Sequence, residues 1–67
     1  MSVGKVIEIS ATSNKSFEDA VAMGIARAGK TVENIRAAWI KEQRVTVADG
    51  KIKEFQVNMQ VTFLLND

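Results

Sequence analysis

The Asp49-Gly50 pair most limits what this chain can become, because it is a two-residue hairpin signal between two long runs of alternating residues. Folding the chain about that pair sets Trp39 opposite Gln60, Ala38 opposite Val61 and Ile40 opposite Met59. Phe55, Val57, Met59, Val61, Phe63 and Leu65 then share one face with Ala38 and Ile40. Gln56, Asn58, Gln60 and Thr62 share the other, together with Trp39, the only tryptophan. The sorting follows from strand parity and the position of the turn. One face reads as a core, the other as an amide-rich surface carrying a large aromatic ring.

The upstream half supplies what covers the apolar face. Val3 to Thr12 alternates, with Ile7, Ile9 and Ala11 on one side, and its β-branched content argues for a strand. Ser16 followed by Asp19 resembles a capping box, and Glu18 and Asp19 place negative charge where a first helical turn favours it. From Phe17 the apolar spacing becomes that of a helix: Phe17, Ala20, Val21, Gly24, Ile25 and Ala28. The spacing predicts a helix over 17–30, with Gly29 near its end, and strands over 35–47 and 52–65. Strands of that length reach roughly 40–45 Å, against about 20 Å for the helix. The hairpin must therefore curl around the helix or project beyond it. The expected fold class is α+β: β-α-β-β, a three-stranded antiparallel sheet wrapped around one helix, in a single domain over 1–67.

A chain of 67 residues buries a modest share of its surface, and without cysteine or histidine it has neither disulfides nor the common zinc sites to compensate. Self-association is the remaining remedy. A net charge of +1 gives no electrostatic footprint for nucleic acid. No apolar run approaches the roughly 18 residues that span a bilayer, and no leader pattern opens the chain. A soluble cytoplasmic protein is expected.

Trp39 offers a flat π surface to a planar ligand, although a lone tryptophan on a sheet is more often packed in a core or at a subunit interface. Gln43, Gln56, Asn58 and Gln60 are read as sharing its face, and amides carry both donors and acceptors, as a heterocycle edge does. Arg44 suits an anionic group such as a phosphate, but parity sets it on the core face opposite Phe55, from which it would snorkel to solvent. The carboxylates show no dense metal-ligand spacing, and no nucleophile, phosphate-loop or dinucleotide motif is present. The chain reads as a binding or storage protein and not as an enzyme.

The opening KVIEISATS, the helix SFEDAVAMGIARAGKTV, the segment ENIRAAWIKEQ and the closing KEFQVNMQVTF together resemble the dodecins over nearly the whole chain. That resemblance implies a small flavin-binding protein that assembles as a hollow homododecamer. In the flavin-binding members a tryptophan on the second strand stacks on the isoalloxazine ring and a glutamine early in the third hydrogen-bonds its pyrimidine edge. Gln56 matches the glutamine. The tryptophan position falls on Ala37, with Trp39 two residues further along the same face. Some relatives lack the stacking tryptophan and are associated with calcium, and IRAAWIKEQ looks like theirs, whereas Gln56 does not. Arg44 aligns with an arginine near the phosphate of FMN or coenzyme A in some bacterial dodecins; the second basic residue used there corresponds to Leu64, which argues against coenzyme A. The expected cofactor is FMN or riboflavin, held by Trp39, Gln56, Arg44 and Gln43, with calcium or another cation as the alternative. The expected role is flavin storage with quenching of its photochemistry.

Overall fold

The computed structural model describes residues 2–65. Four elements follow in order: β1 (Gly4–Ser13), α1 (Phe17–Ala28), β2 (Ile35–Ala48) and β3 (Lys51–Leu64). β3 is central, with β1 and β2 antiparallel on either side. The expected β-α-β-β architecture is the observed one, and its boundaries lie within two residues of those read from the sequence.

Local chemistry fixes each joint. The Ser16 hydroxyl accepts a hydrogen bond from the Asp19 backbone N–H at 2.9 Å, capping one of the orphan donors of the first turn. Asp19 does not complete the reciprocal half of a capping box: its carboxylate accepts instead from the Ser13 hydroxyl, which ties the helix start to the end of β1. Gly29 closes the helix with right-handed dihedrals; its N–H donates to the Ile25 carbonyl and the next N–H, of Lys30, to the Arg27 carbonyl. Asp49 and Gly50 both have positive φ, 54° and 72°, as a two-residue hairpin turn with the twist of its strands requires.

α1 lies against one face of the sheet. Ala20, Val57 and Met59 form the fully buried centre, with Ile9, Ala11, Phe17, Val21, Ile25, Ala38 and Ile40 packed around them. Phe17 and Phe55 meet edge to face at 5.1 Å between ring centroids. Gly24 allows the close approach: a Cβ there would stand 2.6 Å from Met59 Cε and 3.0 Å from Ala11 Cβ. The helix lies over β1 and β3. The hairpin projects beyond it, giving overall dimensions of 52 × 20 × 13 Å and leaving Val45, Val47 and Ile52 exposed near its tip.

The β1–β3 pairing runs without a break from Gly4↔Leu64 to Ser13↔Phe55. The β2–β3 pairing shifts register three times, skipping Arg36, Lys41 and Lys53. The second and third shifts together decide where the candidate site residues fall: the extra Lys53 moves the pairing by one place and the extra Lys41 moves it back before Ile40. Between the two, Gln43 pairs with Val57 and Arg44 with Gln56. Both expectations for these residues are thereby reversed. Arg44 leaves the core face for the open face, and Gln43 leaves the open face for the helix side.

Candidate functional site on the open sheet face

The face turned away from α1 is built of cross-strand rows, because residues paired across antiparallel strands point the same way. From the hairpin end, the rows are Thr12–Gln56–Arg44, Ser10–Asn58–Glu42, Glu8–Gln60–Trp39 and Val6–Thr62–Ala37, each in the order β1, β3, β2. Three of the four expected site residues therefore come together on this face: Trp39, Gln56 and Arg44. Gln43 does not join them.

Most of the polar groups here are engaged with one another. Arg44 Nε donates to Gln56 Oε1 at 3.0 Å, and Gln56 Nε2 donates to Ser10 Oγ at 3.0 Å, so the amide is held from both sides. Asn58 Nδ2 donates to Glu42 Oε1 at 3.0 Å. Lys41, carried on the bulge, reaches across β3 and pairs with Glu8 Oε1 at 3.3 Å. This bridge runs between the Gln60 and Asn58 positions and divides the face into a Trp39 half and an Arg44 half. Sequence parity had no way to show it, since it depends on the bulge.

Trp39 stands apart from these networks. It is 65% exposed, the highest value among the exposed large hydrophobic side chains of the described residues. The indole lies on a surface and not in a cleft, so a ring stacked on it is covered on one side by this chain and needs a second body on the other. The groove between α1 and β1, about 430 Å³ and lined by Ile7, Ile9, Met23 and Gly24 among others, lies on the helix side and holds none of the predicted site residues. Among the described residues no three acidic side chains gather closely enough to hold a metal ion. Glu8 and Glu42 do face the same way, each with a partner already. Among the described residues no helix is long and apolar enough to cross a membrane.

Known proteins agree with this architecture. The family model for dodecin matches residues 3–66. A dodecin of Thermus thermophilus is 35% identical over 65 residues, 97% of this chain and 94% of that protein. The calcium dodecin of Mycobacterium tuberculosis is 42% identical over 64 residues, 94% of this chain and 89% of that protein. The solved structure of the dodecin from Streptomyces davaonensis superimposes with a TM-score of 0.94 at 33% identity, covering 98% of this chain and 97% of that one. With its strand order, its helix-covered core and a family match over nearly its whole length, this chain belongs to the dodecin family.

Proposed function

We propose that this protein assembles as a hollow homododecamer in the cytoplasm, where it binds and sequesters a flavin, riboflavin or FMN, and quenches its photochemistry. The observation that carries the reading is the placement of the single tryptophan, 65% exposed on the amide-lined face of the sheet. A bare indole on a folded surface is poorly solvated and favours an offset-stacked aromatic partner. Stacked against an excited flavin, it is also a nearby electron donor. Arg44, steadied by Gln56, lies two open-face rows along from Trp39, about 13 Å at the rise of a strand. An extended phosphate-bearing tail from a ring on Trp39 would arrive there. Assembly supplies the second body that a surface stack needs, and the exposed Val45, Val47, Ile52 and Met23 supply apolar area for it. The role is binding and not turnover: the chain has no histidine, the most frequent acid–base side chain, and no cysteine thiol nucleophile.

The test is a titration of ligand-free protein into riboflavin and FMN, following flavin fluorescence, with particle mass measured in parallel. Strong quenching that saturates near one flavin per chain on a dodecameric particle is the expected result. A second reading is favoured by Ala37, which faces Thr62 where the resemblance expects the stacking tryptophan, and by the 42% identity to a calcium dodecin. In that reading the shell is structural or binds a cation, with Glu8 or Glu42 of several copies meeting on an axis. A dodecamer that leaves flavin fluorescence untouched and takes up calcium in a calorimeter would favour it.

A further inference from the structure

Resting on the self-association in the reading above, we propose that the projecting hairpin tip of each copy docks into the groove between α1 and β1 of another copy.

The tip is an apolar ridge. Val45 pairs with Phe55 and Val47 with Ile52, and Val45 and Val47 are two apart on β2, so all four side chains share the helix side of the sheet. Phe17 meets Phe55 and Gly24 lies over Met59, so α1 runs away from the tip and leaves Val47 and Ile52 more than half exposed. The backbone is open there as well. β1 ends at the Ser13↔Phe55 pair, and residues 51–54 have β2 as their one neighbouring strand.

The groove is the complement of that ridge. It holds about 430 Å³ between Ile7 and Ile9 of β1 and Met23 and Gly24 of α1. Ser10 and Thr12 line it too, although they alternate with the inward residues, so it opens along the outer edge of β1. β1 pairs only with β3, which leaves that edge without a neighbour. An apolar groove beside an unpaired edge is the arrangement that accepts an added strand: main-chain hydrogen bonds hold it, and alternate side chains drop into the groove.

Ridge and groove do not meet within one chain. Ile52 lies seven residues along β3 from Met59, which sits beneath Gly24; that is about 23 Å at the rise of a strand. Surface area gives the size of what is missing. The chain exposes 4997 Å², whereas a compact monomer of its 7.4 kDa exposes about 4,200 Å². The excess of about 800 Å² equals what one partner contributes to a stable interface of standard size. A second copy brings both shapes, so one repeated contact covers the ridge of each chain and the groove of each chain.

The chain has no cysteine, so a pair of introduced cysteines reports this contact without background. Met23→Cys and Val47→Cys are combined in one chain; both positions are exposed and outside the buried core, so the fold should be kept. A disulfide needs Cα atoms roughly 4.4–6.8 Å apart, which the separation within one chain forbids. After oxidation with diamide, a non-reducing denaturing gel should show most of the protein in covalent species of two or more chains, while each single variant runs as a monomer. Cross-linking by Val47→Cys alone would place tip against tip and overturn the assignment. A double variant that keeps its assembled mass and does not cross-link also overturns it. So does an unaltered protein that stays monomeric at micromolar concentration, and this last result needs no variant to fold. Flavin titration separates the two ideas: a particle that cross-links as expected and leaves flavin fluorescence untouched keeps the docking contact and defeats the flavin reading.

Discussion

The two faces of the one sheet are made by alternate residues of the same strands, yet they differ in how far each side chain's chemistry is used up. On the helix side Val57, Met59 and Val61 are wholly inaccessible, and their contribution goes to folding. One residue away along β3, Gln56, Asn58 and Gln60 are only partly covered, and Trp39 beside them is largely bare. A chain this small cannot set aside separate segments for stability and for binding. On the proposed reading it divides the two tasks by parity, so a substitution should damage one task and spare the other according to the face it falls on.

The largest effect should come from the most buried position. Met59→Ala removes a side chain packed against Ala20 and Gly24, and should cost about 2–5 kcal/mol, the usual range for a large-to-small change in a core. The measurement is a denaturant midpoint at fixed protein concentration, because the proposed assembly would make apparent stability concentration-dependent. A cost below about 1 kcal/mol would mean that the helix does not seal that face. Gly24→Val attacks the same contact from the helix. Met59 Cε, 2.6 Å from an added Cβ, is the end of a flexible chain and can withdraw; Ala11 Cβ, 3.0 Å away, is fixed to β1. We expect a loss of about 1–3 kcal/mol from overpacking, read by the same midpoint.

Trp39→Ala is the counterpart on the open face. Stability should stay within about 0.5 kcal/mol, as for most surface substitutions. Flavin affinity should fall roughly 5- to 150-fold, since one aromatic stacking platform is worth about 1–3 kcal/mol. Loss of the dodecamer instead of loss of quenching would identify the indole as an assembly contact, and the division of labour between the faces would fail at its clearest position.

The fold was legible in the sequence because every element carries its own period and its own punctuation: Ser16, Gly29 and the Asp49-Gly50 turn all act where the pattern changes. The site was legible in part. Uniform folding about the turn holds for Trp39 and Gln60, which lie beyond both the Lys53 and the Lys41 shifts, on opposite strands and so cancelling, and fails for Gln43 and Arg44, which lie beyond the Lys53 shift alone. The missing signal was present in the apolar pattern itself. Along β2 the inward residues are Ile35, then Ala38 and Ile40, then Val45; along β3 Ile52 precedes Phe55. Each of these sequences changes from odd to even or back, and a strand can change parity only by adding a residue. The three changes coincide with the extra residues Arg36, Lys41 and Lys53. What no pattern carried is the hydrogen bonding of the open face, because Arg44 and Gln56 are partners only in the stretch between the Lys53 and Lys41 shifts.

All three extra residues are basic, so it matters whether their charge or merely their number makes the bulges. Lys41→Ala separates the two and should have the smallest effect of the series. It removes an ion pair whose side chains are 35% and 54% exposed, and water and salt screen such a pair well enough that about 0.5 kcal/mol is the most to expect. The backbone count is unchanged and the parity change between Ile40 and Val45 remains, so the register shift should persist, with Arg44 still beside Gln56. Strand-to-strand contacts read by NMR would check this directly: Gln43 should keep its pairing with Val57. A return of Gln43 to Gln56 would show that the Lys41–Glu8 bridge holds the bulge in place, and the placement of Arg44 on the open face would then depend on one exposed charge pair instead of on the hydrophobic order of the strand.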